Sequence, residues 1–291
     1  MQASPAPSQT FNTLISADEL AEIIDHCIVV DCRHELTDPE AGQNAYKEGH
    51  IPGAFFLHLD KDLAAPLTGS NGRHPLPDPQ SFAATLASIG LTPDKQLVAY
   101  DAAGGMVASR FWWMARWMGH QSVAVLDGGV GSWQKSGFPL SKEAAVRSEQ
   151  SSSAPTPDTH LSTVTAQALL ENIKSSSMLV VDARANPRFM GETEPMDARA
   201  GHIPGAVNRP FADNLRDDGL FKPAPVIKAD FLQLLDGRAP QDIVHSCGSG
   251  VSACHNLLAM AYAGLDGGRL YPGSWSEWSS NPDRPVATGQ A

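Results

Sequence analysis

The chain has 291 residues, 42% hydrophobic and 18% charged, with 25 glycines and 22 prolines; this is the composition of a turn-rich globular protein and excludes wholesale disorder. A formal net charge of −11 excludes non-specific attraction to nucleic acid or an anionic membrane, both of which need clustered Lys and Arg. The length exceeds what one hydrophobic core usually fills, so two domains of about 130 residues each are expected.

The opening stretch MQASPAPSQTFNTLISADEL has no basic segment leading into an apolar one, and no window approaches the roughly 18 apolar residues of a membrane span. A cytoplasmic protein is expected. SADELAEII at 16–24 predicts a short helix capped by Ser16, and IVVD at 28–31 predicts a strand. GHIPGA follows at 49–54, then the strand LVAYD at 97–101 with a Gly-rich turn, the strand VAVLD, and LDGGVGSW at 126–133.

The pattern then begins again. TAQALLENI at 165–173 predicts a helix capped by Thr165, LVVDAR at 179–184 repeats IVVDCR at 28–33, and GHIPGA recurs intact at 201–206. IVHSC at 243–247 matches LVAYD, and YPGSWSEW at 271–278 matches LDGGVGSW. The chain is a tandem duplication, with an N-terminal domain over 11–140 and a C-terminal domain over 161–288. The Ser- and Pro-rich segment 141–160 has no apolar periodicity and reads as a linker.

Short apolar strands alternating with helices predict an α/β fold in each domain, a parallel sheet with helices on both faces. In such sheets ligands bind beyond the carboxyl ends of the strands, where helix N-termini point their amides outward. Asp101 and Cys247 occupy equivalent positions there.

Cys27, Cys32, Cys247 and Cys254 are too few for a disulfide framework, and their spacings are not those of a zinc site. Neither a metal nor a cofactor is expected. In HSCGSGVSAC at 245–254, Cys247 is a nucleophile or simply a small buried thiol. The flanking Gly248 and Gly250 favour the nucleophile, because they let backbone amides turn toward the sulfur and stabilise a thiolate, with the Ser249 and Ser252 hydroxyls as further donors. Cys254, about two helical turns on, suits packing. A cysteine-dependent phosphatase would need an arginine six residues after the nucleophile, where this chain has Ala253.

With VVDCR and VVDAR, two GHIPGA segments, and CGSGVSAC followed by GSWSEW, the chain resembles the tandem-domain rhodanese sulfurtransferases over roughly 11–285. The resemblance implies two domains, each on a five-stranded parallel sheet, with the active site built mainly by the C-terminal one. It makes Cys247 the residue that takes a sulfane sulfur, becomes a persulfide and passes the sulfur to cyanide, a thiol or a thioredoxin-like dithiol. The N-terminal copy, with Asp101 in place of cysteine, is expected to be silent. A loop reading Cys-Gly-Ser-Gly-Val, Cys247 through Val251 with Ser252 after it, is similar to 3-mercaptopyruvate sulfurtransferases, whereas thiosulfate-preferring members carry basic residues after the cysteine. 3-Mercaptopyruvate is therefore the expected donor, thiosulfate the alternative, and a non-catalytic binding module the reading from a different class.

The same resemblance implies a substrate-binding arginine at Arg188. A second is usual shortly before GHIPG; here Met196 stands near that place, and Arg199 either compensates or is a solvated loop residue. It further implies a proton-handling serine, histidine and aspartate, matched by Ser249, His74 and, as nearest counterpart, Asp60. Asp31, Arg33, Asp182 and Arg184, together with His50, His202, Trp133 and Trp278, recur in both halves and are expected to brace the domains.

Overall fold

A computed structural model describes residues 9–147 and 161–290, so most of the expected linker, 148–160, lies outside the described residues. The chain divides into two compact units, one formed by Met1–Asp62 and Asp78–Thr159, the other by Leu63–Pro77 and His160–Ala291. Boundaries drawn in chain order place 63–77 in the N-terminal domain. Packing instead places it with the C-terminal residues, because Arg73 pairs with Asp197 and bonds Ser276, and His74 bonds Ser249.

The first unit is built on β1 (Leu14–Ile15), β2 (Cys27–Asp31), β3 (Phe55–Phe56), β4 (Gln96–Tyr100) and β5 (Val123–Leu126), all parallel in the order β1-β5-β4-β2-β3. Its helices are α1 (Ala17–Ile23), α2 (Ala41–Glu48), α3 (Leu59–Asp62), α4 (Pro79–Ser88), α5 (Ala108–Trp117) and α6 (Gly129–Lys135). Ser16 starts α1 with a full capping box, its Oγ accepting from Glu19 N while the Glu19 carboxylate accepts from Ser16 N. Val29, Val98, Tyr100, Ala124 and Leu126 pack with Leu20 and Ile23 of α1 and Val130 and Trp133 of α6. The alternating residues Ile28, Val30, Leu97, Ala99, Val123 and Val125 point to the other face and are buried too, with α5 packed on β4 and β5.

The second unit repeats the plan with β6 (Leu179–Asp182), β7 (Val207–Asn208), β8 (Ile243–Ser246) and β9 (Arg269–Leu270), all parallel in the order β7-β6-β8-β9. Its helices are α7 (Ala166–Ser175), α8 (Asn186–Met190), α9 (Ala224–Leu235), α10 (Ser252–Tyr262) and α11 (Ser274–Ser280). The sheet has four strands where the resemblance implies five. At the place equivalent to β1, a lone Thr163–Leu270 bridge pairs beside β9, fastened by Val164 N donating to Leu270 O at 2.8 Å.

The duplicated motifs build the same joints in each unit. Arg33 bonds the Asp31 carboxylate and donates to Gly49 O at 2.7 Å; Arg184 does the same to Asp182 and Gly201 O, also at 2.7 Å. The ring of His50 stacks on Tyr46 and that of His202 on Phe189, with centroids 3.8 Å apart in both cases. The indoles of Trp133 and Trp278 donate to Pro139 O and Pro285 O. These residues hold the loop after the first long strand against the end of each unit.

Candidate functional site

Cys247 follows the last residue of β8, and the chain turns through Gly248, Ser249, Gly250 and Val251 before Ser252 opens α10. Its side chain is 1% exposed, yet Gly250 N donates to its Sγ at 3.1 Å. Gly250 has φ +78°, and a β-carbon there would lie 2.4 Å from Pro272 O, so only glycine brings that amide to the sulfur. Cys254 lies on the first turn of α10, not two turns along it, because the helix starts only at Ser252; its thiol donates to Gly250 O at 3.4 Å and so ties the loop to the helix.

Ser274 closes the cysteine from the other side. Its Oγ accepts from Cys247 N at 3.1 Å, stands 4.0 Å from Sγ, and donates to Tyr271 O at 2.9 Å. Trp275 N and Ser276 N donate to Cys247 O and Gly248 O, both at 2.9 Å. Ser274 has φ +52°, a left-handed conformation costly for a residue with a β-carbon.

His74 Nδ1 and Ser249 Oγ lie within hydrogen-bond reach, both side chains buried. Two guanidinium groups rest on Gly248. A β-carbon there would meet Arg73 Nη2 at 2.9 Å and Arg188 Nη1 and Nη2 at 3.6 and 3.8 Å. Behind them, Asp197 accepts from Arg73 Nη1 and, at 3.1 Å, from Arg188 Nη2. Glu194 accepts from Arg188 at 2.6 Å and from Arg184 at 3.2 Å.

Burial pushes the Asp197 carboxyl up, and the neighbouring Glu194 adds to this, so the two arginines do not bring it back to the ordinary range. Burial also raises Glu194, but there the bonds from Arg188 and from the amides of Met196 and Asp197 win and hold it low. The chemistry on offer is a nucleophilic sulfur under an amide donor, a hydroxyl and imidazole able to move a proton, and two cations for an anionic reactant.

A model of the rhodanese-like domain matches residues 16–136 and again 165–281. The chain belongs to the rhodanese family. It is 45% identical over 281 residues to a Pseudomonas aeruginosa protein named "Probable 3-mercaptopyruvate sulfurtransferase", covering 95% of this chain and 98% of that one. A Cricetulus griseus thiosulfate sulfurtransferase is 33% identical over 296 residues, 97% of both chains. The crystal structure of SseA from Escherichia coli, a 3-mercaptopyruvate sulfotransferase, superposes with a TM-score of 0.77 at 33% identity, covering 92% of this chain and 100% of that one.

In this rhodanese pair the Gly-rich loop of the first unit is already filled. Asp101 Oδ1 accepts from the amides of Ala103 and Gly105 at 2.8 and 2.9 Å, and Oδ2 from those of Val107 and Ala108 at 2.8 and 2.9 Å. Four amides thus converge on the anion that stands where the second unit has its sulfur.

The structure brings Cys247, Ser249, His74, Arg188, Gly248 and Gly250 together within the second unit, with Val251 and Ser252 leading into α10. Arg199 is used elsewhere. Its half-buried guanidinium donates to Ser279 O at 3.0 Å, Asn281 O at 2.7 Å and Arg284 O at 3.0 Å, so its donors are spent on carbonyls in and just beyond the end of α11. Asp60 lies on α3 of the first unit, where its amide donates to His58 Nδ1 at 3.0 Å and its carboxylate stands 3.9 Å from that nitrogen. His34, His58 and Asp60 bring potential metal-ligand atoms within 4.8 Å of one another. Both His58 nitrogens are committed, to Asp60 N and to Pro39 O.

Two site residues escaped the sequence. Arg73 stands beside His74 in RHPLP, but nothing in that stretch signals that it folds with residues more than a hundred positions later. Ser274 was readable: aligning LDGGVGSW with YPGSWSEW sets it against Gly129, which has φ +58°. A serine in a place that suits glycine is the kind of local conflict that marks a site.

Proposed function

We propose that this chain is a sulfurtransferase that moves sulfane sulfur from 3-mercaptopyruvate to a thiophilic acceptor, either cyanide or a thiol, through a persulfide on Cys247. The observation that carries it is Cys247 Sγ under the Gly250 amide, with Arg188 and Arg73 against the adjacent Gly248. The arginines hold the donor's carboxylate. The Cys247 thiolate attacks the donor's sulfur, the sulfur–carbon bond breaks, and its electron pair leaves as the enolate of pyruvate. A proton delivered through Ser249 and His74 completes pyruvate, and Cys247 keeps the sulfur as Cys–S–SH. A thioredoxin-like dithiol then attacks the outer sulfur, restoring the thiolate and closing its own disulfide with release of sulfide. Asp60 stays beside His58 in the first unit and is given no part in this step. The C-terminal domain over 161–288 supplies the nucleophile, and the N-terminal domain over 11–140 is silent.

Intact-mass measurement after incubation with 3-mercaptopyruvate tests this. The wild type gains one sulfur atom and releases pyruvate, and Cys247→Ser does neither; a wild type that gains nothing sinks the reading. Thiosulfate is the second reading, favoured by the Cricetulus griseus relative of that name. Comparing kcat/KM for the two donors on one preparation separates them.

A further inference from the structure

Three cations and three carboxylates form one chain of contacts beside Cys247. Arg184 pairs with Asp182 and Glu194, Arg188 with Glu194 and Asp197, and Arg73 with Asp197. The formal charge of this group is zero. The side chains of Asp197 and Glu194 are 4% and 3% exposed, whereas those of Arg73 and Arg188 are 26% and 19% exposed. The carboxylates are therefore covered while both guanidiniums keep an open face, and Arg73 Nε is buried with no hydrogen-bond partner among the described residues. An anion arriving at Gly248 meets two cations whose charge is already matched.

We propose that Asp197 is a specificity-determining residue that sets the charge of the sulfur donor: by holding both Arg73 and Arg188 it admits a monoanion and disfavours a dianion. This rests on the sulfurtransferase reading above. 3-Mercaptopyruvate carries one negative charge near neutral pH and thiosulfate carries two. Each charge on the donor is repelled by the Asp197 carboxylate through the arginines it holds, so the second charge is an added penalty. At an effective dielectric constant of about 20, one unit of charge acting over several ångströms changes an equilibrium by about tenfold or more. Asp197 acts through the arginines and is a positioning residue, not a group that touches the reacting sulfur. The raised Asp197 carboxyl fits a network with no positive charge to spare.

The test is the ratio of kcat/KM for thiosulfate to that for 3-mercaptopyruvate in the wild type, Asp197→Asn and Asp197→Glu. Removing the charge is expected to raise the ratio about tenfold or more, carried by KM for thiosulfate, and Asp197→Glu is expected to return it to the wild-type value. An unchanged or lower ratio in Asp197→Asn, in an enzyme still active with 3-mercaptopyruvate, overturns the proposal. Wild-type protein that turns over neither donor overturns the underlying reading instead. Should Asp197→Asn not fold, the wild type decides alone. Pyruvate is expected to protect Cys247 from iodoacetamide at a lower concentration than sulfate at matched ionic strength; equal or better protection by sulfate overturns the proposal.

Discussion

His74 Nδ1 lies 2.7 Å from Ser249 Oγ, and both residues are buried beside the turn that carries Cys247. A serine hydroxyl paired with an imidazole is a route for one proton. Losing that route matters when the leaving group needs a proton and little when it does not. With 3-mercaptopyruvate, His74→Asn and Ser249→Ala are expected to lower kcat by about 100-fold or more. With thiosulfate, whose sulfite leaves without protonation, both variants should stay within about fivefold of wild type. Steady-state kinetics with the two donors checks this, and equal losses would make the pair structural.

Gly250 couples the turn to the sulfur. Gly250→Ala puts a β-carbon 2.4 Å from Pro272 O at a backbone φ of +78°. The expected cost is about 3 kcal/mol of stability, read as a lower urea midpoint with unchanged slope, together with loss of persulfide formation in whatever remains folded.

At Ser274 stability and activity should part company. Ser274→Gly relieves a left-handed backbone, worth about 1–2 kcal/mol, and loses the hydroxyl that accepts from Cys247 N, worth about as much. Unfolding free energy should change by less than about 1 kcal/mol while kcat/KM falls at least about tenfold. Ser274→Ala keeps the strain and loses the bond, so it should be the less stable of the two.

The role of Arg199 is settled by a different pair of readings. Arg199→Ala should lower the thermal midpoint, because carbonyls at the end of α11 lose their donor, and should leave KM for the donor unchanged. A rise in KM with no stability loss would return this residue to the binding site.

His245 predicts how stability depends on pH. It is fully buried on β8, and burial lowers its pKa from 6.5 to about 3. The folded state keeps the ring neutral while the unfolded chain protonates below pH 6.5, so the contribution is present above 6.5 and is lost as pH falls toward 3. At about 1.4 kcal/mol per pH unit the loss is at most about 5 kcal/mol over that window. Urea titrations at pH 7 and pH 4 should show it, and His245→Leu should flatten the difference.

Much of the fold could be read directly from residues. Two copies of GHIPGA and of VVDxR announced the duplication, and each forms the same joint because each meets the same strand end. The glycines around Cys247 point to an amide-lined turn, and Gly250 lies in that turn with a φ that admits little else. What stayed hidden was long-range. Arg73 reaches the site because 63–77 packs with the C-terminal residues, and no periodicity or spacing encodes such a crossing. Arg199 misled for the converse reason: a charge near the expected motif was nearer to a helix end in need of a donor. At the edge of the second sheet one bridge stands where the first has the two-residue β1, a difference too small for a sequence pattern to carry.

The Asp101 carboxylate, held by four amides, makes the molecule easy to count. The first unit offers that turn no thiol and no vacancy for an incoming anion. Of the remaining cysteines, Cys27 is pushed by burial up to about 12, Cys32 is held well above the ordinary thiol range by burial and nearby carboxylates, and Cys254 keeps its thiol proton engaged on Gly250 O, whereas the Cys247 sulfur accepts a bond. A limiting titration with a thiol-alkylating reagent near neutral pH should therefore consume one equivalent per chain, so the concentration of working enzyme can be measured without a turnover assay.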